Sequence, residues 1–205
     1  MSEPGLEAVP SLEAVRSPKS EPGLEAEPNL EAVPNLGALP GLEALPEAGL
    51  VRFEFRPHNC FACGTLNAHG LHLVLHVEHG RSWTVLALDR GFEGWEGIAH
   101  GGIISAILDE VMAWSLVGAD NWGVTARLTV NFKRPVPIGE PLRAVGVVTR
   151  ERRRLVDATA ELRLVESGEL LATAEGVYMA AGPDRKRELR EKYGFRLVPA
   201  SDEVR

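Results

Sequence analysis

The chain has 205 residues with a formal net charge of −7. That length suits one domain with or without extensions. The first fifty residues hold 9 acidic and 2 basic residues, while the remaining 20 acidic and 20 basic residues cancel. A neutral main part with an acidic tail lacks the basic face that nucleic-acid binding needs. The start, Met1-Ser2-Glu3-Pro4-Gly5, has neither the positive charge nor the apolar stretch of a secretory signal, and no apolar run is expected to reach membrane-spanning length. The expectation is a cytoplasmic protein with no membrane segment.

Residues 1–50 contain eight of the fourteen prolines and no aromatic residue, Cys or His. Pro recurs at 4, 10, 22, 28, 34, 40 and 46, and Leu at 6, 12, 24, 30, 36 and 42, usually within Leu-Glu-Ala. A proline every sixth residue removes backbone donors and blocks helix, so a disordered, extended tail is expected. The alternative, a left-handed β-helix built on the same six-residue period, has too few coils to share a core. The domain is therefore placed at 51–182, with a charged C-terminal extension at 183–205.

From Val51 the apolar period becomes two. Leu71, Leu73, Leu75 and Val77 alternate with more polar positions, and His79-Gly80 then precedes an apolar run from Trp83 to Leu88, which predicts two strands joined by a tight turn. After a Gly-rich loop, His100-Gly101-Gly102 opens an eighteen-residue segment with Ile103, Ile104, Ile107, Leu108, Val111 and Met112 at helical spacing. Segments 124–133, 142–150, 155–165 and 170–180 are rich in Val, Leu and Thr and read as strands. Asp184 to Lys192 reads as a short, exposed, charged helix. The pattern predicts an α+β domain, an antiparallel sheet of about six strands around one long helix.

Within this pattern, His100-Gly-Gly-Ile-Ile-Ser-Ala-Ile-Leu-Asp109 resembles the signature of the phenylacetate-pathway (PaaI-type) thioesterases of the hotdog superfamily. Cys60-Phe-Ala-Cys-Gly64 with Asn67 and Gly70-Leu71, Gly94-Trp95-Glu96-Gly97, Val124-Thr-Ala-Arg127 and Phe132-Lys-Arg-Pro135 extend the likeness from about His58 to Ala181. The resemblance implies a hotdog fold with the sheet wrapped around the helix. It also implies hydrolysis of acyl-CoA or related thioesters without a cofactor, and a homodimer or dimer of dimers whose sites are shared between subunits.

The same residues make chemical sense by themselves. First-turn N–H groups at Gly101 and Gly102 have no intrahelical partner and can hold a thioester carbonyl and the charge that builds on it. Asp109 falls opposite the aliphatic centre of the helix, among Ser105, Ala106 and Ala113, where a carboxylate can act as nucleophile or general base. The small residues suggest a second chain close by. Glu110 is the runner-up acid. His100 is read either as a carbonyl ligand or as a loop-fixing residue, and Thr125 either as a partner of the attacking water or as a strand former. Lys133 and Arg134 are the candidate CoA phosphate contacts, with Arg134 favoured over the run Arg152-Arg153-Arg154.

One departure from the resembled pattern stands at Glu93 and Gly94, where relatives often have Asn or Gln. Cys60 and Cys63 have zinc-ligand spacing, with His58, His69 and His72 as possible completers. No second Cys pair follows, so packed reduced thiols and no metal are expected. The competing functional class is a non-catalytic acyl-CoA-binding or scaffold module. A hydratase of the same fold would need a differently spaced His and acid, and that pattern is not found.

Deleting residues 1–48 should leave both melting temperature and turnover unchanged, because an acidic, proline-interrupted repeat adds little to a core. Thermal melting and assay of the truncated chain check this; a large drop in melting temperature would show that the tail packs on the domain.

Overall fold

The structure, a computed structural model, describes residues 51–199 except His79 and Phe195. The hexapeptide tail, and with it the disordered and β-helical readings, lies outside the described residues. In chain order the elements are β1 (Val51–Glu54), β2 (His76–Glu78), β3 (Arg81–Leu86), a 3-10 turn (Arg90–Phe92), β4 (Glu93–Trp95), β5 (Ile98–Ala99), α1 (Gly101–Gly118), β6 (Gly123–Phe132), β7 (Leu142–Arg152), β8 (Leu155–Leu164), β9 (Leu170–Ala180), α2 (Pro183–Tyr193) and β10 (Arg196–Pro199). One sheet of eight strands has the order β10-β1-β2-β3-β7-β8-β9-β6, and every pairing in it is antiparallel. Six of these strands are those expected from the pattern. β1 and β10 lengthen one edge, and β4 with β5 makes a separate small hairpin.

The first expected strand is shorter than its alternation suggests. Leu73, Leu75 and Val77 are buried and Val74 is exposed, as period two requires, yet the ladder holds only residues 76–78. The backbone before it bonds to a loop instead, with Leu71 N–H donating to the Phe61 carbonyl at 2.8 Å and Leu73 N–H to that of Ala62 at 2.9 Å. His72 adopts φ 50, which breaks the extended run.

Burial patterning reports side-chain facing and not ladder pairing, and α1 makes the same point for hydropathy. Its length and composition do reach what a membrane crossing requires, contrary to the sequence reading. Ile104, Ile107, Leu108, Val111 and Met112 are at most 1% exposed because the sheet curls round them.

The helix meets the sheet most closely at Val111. Ser82 on β3 donates its hydroxyl to the Val111 carbonyl, and Ser82 pairs with Gly146 on β7. A Cβ at Gly146 would lie 2.3 Å from the Val111 carbonyl oxygen and 2.7 Å from Met112 N, so the helix backbone rests directly on the strand. Gly146→Ala should therefore cost about 3 kcal/mol and lower the melting temperature by roughly 6–12 °C. Ser82→Ala, which loses a single hydrogen bond, should cost about 1 kcal/mol. Paired thermal melts check the ratio, and equal small effects would disprove the close contact.

Candidate active site

Asp109 lies on the far side of α1 from Val111, and the other end of the sheet reaches it there. Thr125 on β6 and Tyr178 on β9 are direct cross-strand partners, so their side chains share one face. Both point at the acid. Thr125 Oγ1 donates to Asp109 Oδ1 at 2.9 Å and sits 3.1 Å from Oδ2, and Tyr178 OH donates to Oδ1 at 2.8 Å. The ladder shifts register between Thr125 and Arg127, which puts a bulge beside the site.

Of the two candidate readings of Thr125, the structure favours the one that puts it at the acid. Tyr178 was not singled out from the sequence. Its side chain is fully buried, and a buried Tyr hydroxyl needs a partner, but which acid supplies it depends on sheet curvature. Burial, and next the Asp109 charge, push the Tyr178 hydroxyl far above its usual range, so it remains a proton donor at all working pH values. Room for the ring comes from Gly176, where a Cβ would lie 2.6 Å from a ring carbon.

At the helix start, His100 is the N-cap. Its Nδ1 accepts the Gly102 N–H at 2.9 Å, and its carbonyl accepts the N–H groups of Ile103 and Ile104. His100 thus performs the loop-fixing role, and the Gly102 N–H is already engaged. The Gly101 N–H has no hydrogen-bond partner among the described residues. Phe132 packs against Gly101, its ring 3.3 Å from where a Cβ would stand. Lys133 and Arg134, both exposed, follow at that end of β6, and Arg134 is paired with Glu169 at 2.6 Å. Glu93 accepts the Gly97 N–H at 3.1 Å inside its own hairpin, and Gly94 packs against the His100 ring.

Glu110 points elsewhere. Trp114 Nε1 donates to its Oε1 at 2.8 Å, and Cys60 Sγ lies 4.0 Å from the same oxygen. Burial raises its carboxyl to about 7, with the nearby Cys60 adding to the effect. It lines a cavity of about 520 Å³ that also takes in His58, Cys60, Cys63 and Trp114. His58, Cys60 and Cys63 come together there; His69 and His72 do not join them.

The chain is similar to several known proteins. The thioesterase superfamily model matches residues 96–171, which span α1 and the strands around it. The domain has a hotdog fold, and this stretch of it is similar to the thioesterase superfamily. Among curated proteins the chain is 25% identical over 127 residues to acyl-coenzyme A thioesterase THEM4 of Bos taurus, covering 61% of this chain and 52% of that one. The chain thus spans about half the length of this relative.

Among solved structures, a thioesterase superfamily protein is 25% identical with a TM-score of 0.55, over 59% of this chain and 60% of the other. Zebra fish thioesterase superfamily member 2 gives a TM-score of 0.52 at 17% identity, covering 56% of this chain and 89% of its own. A Streptococcus mutans protein crystallised with acetyl CoA gives 0.50 at 18%, covering 52% and 85%. These last two likenesses concern the fold alone.

Tyr178→Phe removes one donor from Asp109 Oδ1 while keeping the ring, so the domain should fold. Turnover should fall about tenfold with KM little changed. Steady-state kinetics on the best thioester decide the matter, and an unchanged kcat would remove Tyr178 from the site.

Proposed function

We propose that the chain hydrolyses acyl-CoA or related acyl thioesters to free acid and thiol, with Asp109 as the general base or nucleophile. The observation that carries the reading is the Asp109 carboxylate held by two hydroxyl donors from opposite strands, on a helix whose N-terminus offers an unengaged N–H. As base, Asp109 takes a proton from water as the water oxygen attacks the thioester carbonyl. Charge develops on the carbonyl oxygen and is met by the Gly101 N–H and the positive end of the helix. Collapse expels the thiolate, which takes the proton. The bovine relative's name as an acyl-coenzyme A thioesterase supports this substrate class. The PaaI-type likeness rests on the sequence motifs.

One helix cannot perform both tasks on one substrate. Gly101 and Asp109 are eight residues apart on α1, a rise of about 12 Å, while an attacked carbonyl must lie within a few ångströms of both groups. A second copy resolves this, its Gly101 facing Asp109 of the first. β6, which carries Thr125, is the last strand of the sheet, and eight of its ten residues are exposed. Such an edge is suited to cover by another copy. The reading is a homodimer or dimer of dimers, with Lys133, and Arg134 on exchanging Glu169 for the ligand, meeting CoA phosphates at the Gly101 end. It favours hydrolysis over the scaffold alternative, since binding alone needs no oriented carboxylate.

Asp109→Asn should lower turnover about a hundredfold or more with binding roughly kept, whereas Glu110→Gln should do much less. Light scattering should give a dimer or a larger closed assembly. Mixing Asp109→Asn with an inactive Gly101→Val chain should restore activity to about a quarter of wild type, because mixed dimers regain one intact site. A folded Asp109→Asn protein at wild-type rate would sink the mechanism, and failure of the mixture to recover would sink the shared site.

A further inference from the structure

The loop 58–63 brings an imidazole and two thiols together, with one thiol facing the carboxylate of Glu110, at a place the hydrolytic reading does not use. The ligand atoms of His58, Cys60 and Cys63 all lie within 4.8 Å of one another. Cys63 Sγ is 3.4 Å from His58 Nε2, and Cys60 Sγ is 4.0 Å from Glu110 Oε1. In a tetrahedral zinc site, bond lengths of about 2.3 Å to sulfur and 2.0–2.2 Å to nitrogen or oxygen put neighbouring donors about 3.6 Å apart. The two observed separations bracket that value; the three loop donors already cluster, and the Glu110 carboxylate would move in from the Cys60 side to complete the four.

We propose that His58, Cys60 and Cys63, with Glu110 as fourth donor, form a zinc site that ties the 58–63 loop to the central helix.

The surroundings are those that such ligands require. His58 Nδ1 lies 3.1 Å from the Arg56 carbonyl, so its N–H donates there and Nε2 presents its lone pair to the sulfurs. Trp114 Nε1 holds the Glu110 carboxylate in place by donating to Oε1, the oxygen that faces Cys60. Gly64 N–H closes the turn on the Cys60 carbonyl at 3.0 Å. Two cysteines, one His and one carboxylate make a mixed N, S and O donor set that zinc accepts and that Mg²⁺ or Ca²⁺ would not favour.

Such a site would cross-link positions fifty residues apart, Cys60 and Glu110, beneath the apolar cavity. The metal then supplies cohesion where the chain is coil, since residues 55–75 contain no helix or strand. With four protein donors the site is closed, as in structural zinc centres.

The test uses the full chain, without a metal-affinity tag, expressed with zinc and purified in a reducing, chelator-free buffer. Elemental analysis should find about one zinc per chain. Chelator-stripped protein titrated anaerobically with Co²⁺ should develop sulfur-to-cobalt charge-transfer bands and tetrahedral d–d bands that saturate at about one equivalent. Cys60→Ser and Cys63→Ser should lose the charge-transfer bands. Glu110→Gln should keep them, shift the d–d bands and weaken Co²⁺ binding about tenfold or more. His72→Ala, outside the cluster, should match wild type.

If the serine variants fail to fold, the wild-type Co²⁺ spectrum still decides. A folded, reduced wild type with less than about a tenth of a metal per chain and no cobalt bands overturns the site. So do bands that survive Cys60→Ser. Protein that ignores Co²⁺ but forms a Cys60–Cys63 disulfide on mild oxidation is a redox pair, and that also overturns it.

Discussion

The contact of the α1 backbone with β3 and β7 at Val111 sets the depth at which the helix lies in the sheet. A Ser hydroxyl and a residue without a side chain, Ser82 and Gly146, are what allow it. With the helix this low, a sheet of ordinary twist curls far enough for β9 and β6 to reach its opposite side. Tyr178 and Thr125 meet Asp109 there. The acid is two residues from Val111, about 200° around the helix, so a face that would be fully solvated on a flatter sheet is partly covered. The geometry around Asp109 and the packing of the core thus depend on one close approach.

Much of this was legible in the sequence because it is local. Helical spacing from Ile103 to Met112, alternation along four later strands and the charged segment from Asp184 each express one element's own periodicity. Asp109, Gly101, Gly102 and His100 were accessible for the same reason, since they lie on one helix and its cap. What escaped is long-range. Tyr178 reaches Asp109 across 69 residues of sequence, and β1 pairs with β10 across more than 140. Period two marked the facing of residues 71–77 correctly, but it could not show that residues 71–75 bond to the 61–62 loop.

The readings left open at the helix start are resolved by one hydrogen bond. His100 Nδ1 accepts the Gly102 N–H, which fixes the ring as a cap and leaves the Gly101 N–H as the one of the pair without a partner among the described residues. The glycine pair is therefore not two equivalent donors. The Glu93–Gly97 hydrogen bond likewise makes the departure at Glu93 intelligible: its carboxylate closes the β4–β5 hairpin, a job for an acceptor, where an amide would serve no better.

Asp109 and Glu110 show how adjacent residues of one type acquire unlike chemistry. Successive helical positions diverge by about 100°, so one carboxylate meets two hydroxyl donors on the strands and the other meets an indole N–H and a thiol in a cavity wall. Burial raises the Glu110 carboxyl to about 7. Exchange of roles is barred by direction, because turning Glu110 toward Thr125 would require the helix to rotate through its contact at Gly146. The close approach that creates the first site therefore also assigns the second carboxylate to the loop cysteines.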